Sequence, residues 1–231
     1  MNNLALAGTL ASSPSAAFAE LRERPRFWFP LLLVTLTSAA LMYWYYSVVD
    51  VEWLKDAMYS QNPKFQAMPA DQRAAAMGMM GRNTFLWGST IGILFAIPLW
   101  LVLQSVYLLI AAKVTKLPLG FKHWFAFSSW TLLPALLTTV VAAILLLISD
   151  TKQMGPGILQ PMSLNELLFH RPLGSAAQTY LDAVTIPAML SWFLMIIGMR
   201  AWSQRSWTFS AIVILLPIVL LYGIWAFFAF R

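Results

Sequence analysis

Four side chains carry most of the chemistry open to this chain: Asp182, Glu166, His170 and Gln104. Asp182 opens a long apolar run. An ionisable group inside a bilayer is costly and usually faces a cavity or a partner. At the interface it would instead cap a helix, accepting backbone N–H bonds and complementing the helix dipole. Glu166 and His170 lie four apart, so a helix puts them on one face. With Asp182 they could bind a metal from the outer side. The alternative is a solvated loop helix, since there are only two histidines and no HExxH-like motif. Gln104 reads as a hydrogen-bonded contact between helices or as the lining of a polar path.

Five methionines, Met58, Met68, Met77, Met79 and Met80, crowd one polar connector. Thioethers are soft ligands for Cu(I), but methionine also supplies adaptable apolar packing. No nucleophile–base pair, P-loop or dinucleotide fingerprint is present, and the serines have no histidine at membrane depth. We therefore expect a protein that is not an enzyme and holds neither cofactor nor metal. The absence of cysteine removes disulfides and thiolate sites.

The elements that must position these residues are membrane helices. The chain is 60% hydrophobic and 10% charged, where soluble domains carry about 25% charged residues. From Asp182 to Arg200 an ionisable-free run spans ~27 Å as a helix, close to the ~30 Å hydrocarbon core. Similar runs predict an all-α integral membrane protein with five spans, at about 27–49, 85–112, 128–148, 183–199 and 208–230. Phe27, Trp28 and Phe29 at one end of the first span, and Tyr43 to Tyr46 at the other, form the expected aromatic belts. Pro98, Pro134, Pro187 and Pro217 predict kinks in four of the five spans. Gly88 and Gly92 form a small-xxx-small packing motif, and Gly198 is a third packing glycine.

Residues 1–13 are small and weakly apolar, and predict a poorly ordered start. Ser13-Pro14 begins a short interfacial helix whose Phe18 and Leu21 share one apolar face, followed by Arg22, Arg24 and Arg26. Residues 1–26 thus form a cytoplasmic segment, and 27–231 a single five-helix membrane domain. With the N-terminus inside, the inner segments hold eight basic residues: Arg22, Arg24, Arg26, Lys113, Lys116, Lys122, Arg200 and Arg205. The outer segments hold seven: Lys55, Lys64, Arg73, Arg82, Lys152, Arg171 and Arg231. The inner connectors are shorter, so basic density near the membrane places the N-terminus in the cytoplasm and the C-terminus outside. Scattered basic flanks of this kind are not a nucleic-acid surface.

The segment Ser13-Pro14-Ser15-Ala16-Ala17-Phe18-Ala19-Glu20-Leu21-Arg22-Glu23-Arg24-Pro25 resembles the N-terminal lead-in of bacterial members of the YIP family, the polytopic proteins named after Ypt/Rab interaction. Leu119-Gly120-Phe121 before Ser128-Ser129-Trp130 and Pro134 agrees with it. So do Leu181-Asp182 ahead of Trp192 and Gly198, and the Ser206-to-Ala211 start of a final hydrophobic span. The resemblance covers roughly residues 14–230. It implies a five-helix membrane domain with a cytoplasmic N-terminus, in the bacterial inner membrane. Eukaryotic relatives bind Rab GTPases, act in vesicle traffic and carry long cytoplasmic N-terminal regions.

Two functions compete. The first is a non-enzymatic scaffold that organises the lipid bilayer, a membrane-protein partner or a second copy of itself. The second is a small transporter or lipid-moving protein with a polar path near Gln104 and Asp182.

Overall fold

The computed structural model describes residues 1–60 and 63–231, with all their side chains except those of Ser60, Pro63 and Lys64. The connector charge expected at Lys64 therefore lies outside the described side chains. The chain opens with α1 (Asn3–Ser12) and α2 (Pro14–Glu23), followed by α3 (Trp28–Val48). A connector holds α4 (Val51–Ser60), α5 (Pro63–Gln66) and α6 (Ala70–Met79) before α7 (Arg82–Val114). Then come α8 (Phe121–Thr131), α9 (Ala135–Ile148), α10 (Ala176–Ala183), α11 (Ile186–Ser203) and α12 (Trp207–Ala229). Five elements are long and apolar enough to cross a membrane: α3, α7, α8 with α9, α11 and α12. Among the described residues there is no strand, only an isolated antiparallel bridge between Ser163 and Thr185.

The apolar runs become spans because they leave no polar side to face water. On α12 only 6% of the most hydrophobic stretch is buried in the protein. Val219, Leu220, Ile224 and Phe228 all point outward, a surface that only lipid would cover. Serines inside spans satisfy themselves against their own backbone: Ser129 Oγ donates to Phe125 O at 2.7 Å, and Ser105 Oγ to Leu101 O.

The prolines divide into three kinds. Pro98 and Pro217 lie inside continuous helices, so α7 runs unbroken for 33 residues. Pro134 follows a break, where residues 132–134 form a turn between α8 and α9. Pro187 is the second residue of α11 and no kink is needed there. The span begins at Ile186, so the missing N–H falls among the first-turn donors that have no intrahelical partner. Gly88 and Gly92 also differ from expectation. A Cβ at either would meet nothing within 4 Å, so neither packs closely in this chain.

The start of the chain is ordered, contrary to its weak hydropathy. Asn2 caps α1 by accepting the Ala5 N–H at 2.7 Å. Leu6 and Leu10, four apart, are both buried.

The chain divides into two compact units. The first comprises Met1–Thr35, Ala96–Ala135 and Ala188–Ile224. Its core holds Leu6, Leu10, Phe18, Leu21, Trp124, Phe127, Trp130 and Trp202. Phe18 and Leu21 are fully buried, so the apolar face of α2 packs on protein and not on lipid. Trp202 packs at a tilt against Trp124 and Phe127, with centroids 5.2 and 5.1 Å away, and meets Phe18 edge-on. Its indole N–H donates to Phe18 O at 2.7 Å. Gly198 makes room for this cluster: a Cβ there would stand 2.8 Å from the Phe18 ring.

The second unit comprises Leu36–Phe95, Leu136–Pro187 and Trp225–Arg231. Its core includes Leu41, Tyr45, Val49, Leu54, Leu146, Met154 and Leu159. The Tyr45 hydroxyl donates to Met154 O at 2.7 Å, tying α3 to the 149–182 connector. Lys55 is buried, pairing with Glu52 at 2.7 Å.

Candidate functional site

The polar residues singled out by sequence fall into both units. In the second unit one of them, Glu166, lines an open cleft of 760 Å³. The segment that builds it folds around Ser163. Leu164 N–H donates to Val184 O and Ile186 N–H to Met162 O, joining the connector to the start of α11. Ser163 Oγ then accepts the Glu166 N–H at 3.2 Å and starts a π-helical turn, Asn165–Phe169. His170 ends that turn in the left-handed region, φ 48°, and its N–H donates to Asn165 O. The Asn165 side chain accepts the next N–H, that of Arg171, at 2.9 Å.

This geometry separates the expected pair. Glu166 lines the cleft, whereas His170 is exposed beyond the turn. The π-turn and left-handed exit break the α-helical spacing on which the shared face relied. Among the described residues no group of three His, Asp or Glu could hold a metal ion. In the methionine-rich connector, Met80 Sδ accepts from the Tyr59 hydroxyl at 2.9 Å, Met58 packs on the core of the second unit and Met79 is 80% exposed.

Gly157 permits the placement of Glu166. A Cβ at Gly157 would fall within the Glu166 carboxylate, so only glycine lets that carboxylate lie over the 3₁₀ turn Pro156–Leu159. Gly174, at φ 85°, does the same for α10, because a Cβ there would strike the Met58 carbonyl. Ser175 caps α10 by accepting the Gln178 N–H at 3.1 Å.

Asp182 does not cap a span. It sits in the last turn of α10, four residues before the first residue of α11. Its carboxylate accepts from Gln178 Nε2 at 2.7 Å and, weakly, from Ser163 Oγ at 3.4 Å. Burial raises its pKa above the ordinary carboxylate value, and the nearby Glu166 charge raises it further. Bonds from Gln178, Ser163 and Asn165 oppose this without cancelling it. The folded chain thus holds this proton to higher pH than the unfolded chain. Stability from this residue is greatest below the unfolded pKa and is lost as pH rises through the folded one. Asp182→Asn keeps an acceptor for Gln178 and removes the charge. It should raise the thermal midpoint at neutral pH and flatten the acid-side rise, measured from about pH 4 to 7. A lower midpoint at pH 7 would show instead that the charge itself is needed.

Gln104 belongs to the first unit, where its side-chain N–H donates to Met195 Sδ at 3.1 Å. The eight basic residues Arg22, Arg24, Arg26, Lys113, Lys116, Lys122, Arg200 and Arg205 all lie in this unit too. Arg26 is held by Glu20 at 2.6 Å. Arg200 and Arg205 lie over the Trp207 and Phe209 rings, and Arg205 donates to Thr115 O at 2.8 Å, closing the C-terminal turn of α7. Arg24, Lys113, Lys116 and Lys122 are exposed and form no ion pair among the described residues.

Sequence reading did not single out the aromatic cluster at Trp202 or the partners of Arg82. Their signals were a tryptophan just past a span and an arginine just before one. A family model, the Yip1 domain, matches residues 7–228. No curated protein and no solved structure matches. The match takes in four of the candidate spans whole, all but the last residue of the fifth, and most of both N-terminal helices. The chain is an integral, polytopic membrane protein that belongs to the Yip1 family.

Proposed function

We propose that this chain is a non-enzymatic scaffold that organises membrane partners from the cytoplasmic face of a bacterial inner membrane. One observation carries the reading: the first unit holds eight basic and two acidic residues, and so the whole formal charge of +6. The second unit holds seven of each and is formally neutral. Concentrated Lys and Arg near span ends favour the cytoplasm. The N-terminus and the loops carrying Lys113 to Lys122 and Arg200 to Arg205 then lie inside, and five spans put the C-terminus outside. The exposed, unpaired Arg24, Lys113, Lys116 and Lys122 fit an acidic protein surface or the anionic leaflet.

Crosslinking at native expression, followed by purification, tests the reading. A partner protein or a second copy should be recovered, and recovery should fall several-fold when Lys113, Lys116 and Lys122 are changed to Glu. Recovery of the chain alone would count strongly against the scaffold. The chain has no cysteine, so Lys116→Cys and Thr151→Cys each give a single label site. Only the second should react with an impermeant maleimide from outside.

A further inference from the structure

The cleft of the second unit presents two opposite charges that do not meet. Glu166 and Arg171 both line it. Among the described residues the ion pairs are Met1–Glu20, Arg26–Glu20 and Lys55–Glu52, and neither Glu166 nor Arg171 takes part. Their backbone N–H groups are bonded, but neither side chain makes a hydrogen bond among the described residues. Opposite charges facing one space without pairing suit a ligand that carries both signs.

The rest of the lining narrows the ligand. Leu145 and Ile148 belong to the last turn of α9, the end of a spanning element. Leu173 and Ile158 add further apolar wall. Between Glu166 and Arg171 the chain exposes Leu167, Leu168 and Phe169, at 45%, 67% and 50%. An exposed apolar run beside charged groups, next to the end of a span, belongs at a lipid interface. A water-soluble zwitterion would leave this rim uncovered, whereas acyl chains would cover it. The volume of 760 Å³ lies in the ~300–1,000 Å³ range of small-molecule sites.

The acceptors decide the amine. A carboxylate with free lone pairs calls for N–H donors. A quaternary ammonium has none and is held by several aromatic faces, but the cleft is lined by a single aromatic residue, Trp53. The guanidinium of Arg171 suits a phosphate.

We propose that this cleft binds the phosphoethanolamine headgroup of a membrane lipid, its ammonium on Glu166 and its phosphate on Arg171. The site uses none of the basic residues behind the scaffold reading and stands or falls separately.

The test is lipid retention by the purified full-length chain, read by native mass spectrometry in delipidating detergent. Phosphatidylethanolamine, phosphatidylcholine and phosphatidylglycerol are offered at equal concentration. One phosphatidylethanolamine should be retained, at least fivefold over each of the others. Glu166→Gln and Arg171→Gln should each cut that retention about tenfold while the helical circular dichroism is unchanged. Equal retention of the three lipids by the unmodified chain would overturn the proposal without recourse to any variant. So would full retention by Glu166→Gln. Soluble phosphoethanolamine should compete only weakly. Binding of the soluble compound with no lipid retained would overturn the assignment to a lipid.

Discussion

Trp202→Ala is expected to destabilise the protein by about 4 kcal/mol, the range for deleting a buried aromatic side chain. Trp202 is 1% exposed and touches the rings of Phe18, Trp124 and Phe127. Alanine leaves a cavity that cannot close easily. Gly198 already brings the α11 backbone against Phe18 and Phe127, so the surrounding rings have no slack to move in. The change also removes the indole N–H that the Phe18 carbonyl accepts at 2.7 Å. Trp202→Phe separates the two losses. It keeps most of the ring contact and removes the donor, for a cost of about 1–2 kcal/mol. Chemical unfolding in mixed micelles, followed by far-ultraviolet circular dichroism, measures both. A loss below about 1 kcal/mol for the alanine variant would mean that the cluster is not packed as described.

The same cluster marks how far the sequence could be read. The five spans were legible because ionisable-free apolar runs of this length have few other solutions. The periodicity of α2 was legible too, with Phe18 and Leu21 on one face. What that face would meet was not, because its partner Trp202 lies 184 residues away in sequence. Local pattern predicts that a face will be covered and leaves open whether lipid or protein covers it. The fate of residues 1–13 followed from this, since Leu6 and Leu10 gain a helix only by packing on the same core.

Asp182 shows a different limit. Hydropathy placed it at the start of a span, but the chain turns through Val184 and Thr185, where it pairs with the segment around Ser163. Two residues of extended backbone moved Asp182 from a helix N-terminus, where its charge would be favoured, to a helix C-terminus, where it is not. That reversal agrees with an acid that holds its proton to higher pH. Glu166 and His170 failed as a pair for an equally local reason, a π-turn that no spacing rule anticipates. The eight basic residues are legible only one connector at a time. That they share one compact unit required coordinates.

Arg82→Ala is the second large effect expected, a loss of about 3 kcal/mol. Arg82 is the first residue of α7, where a cation opposes the dipole of its own helix. It is compensated by the end of another helix. Its guanidinium donates to the carbonyls of Tyr46, Ser47 and Val49 at 2.8, 2.9 and 2.9 Å. These lie at the C-terminus of α3, where carbonyls lack intrahelical partners and a cation is favoured. Charge-assisted bonds contribute about 1.5–3 kcal/mol each when buried. Arg82 is exposed, so their sum is discounted to roughly half or less. Relief at the α7 N-terminus offsets about 0.3–1 kcal/mol more. Arg82→Lys should recover less than half of the loss, because an ammonium on a flexible stem cannot reproduce the planar fork. Arg73→Ala is the control: among the described residues the Arg73 side chain bonds only that of Gln66, at 3.1 Å, and the change should cost under about 0.5 kcal/mol. Amide exchange should quicken in the last turn of α3 in Arg82→Ala alone. Equal stability of the Arg82 and Arg73 variants would reduce Arg82 to an ordinary connector charge, and the capping of α3 would have to come from solvent.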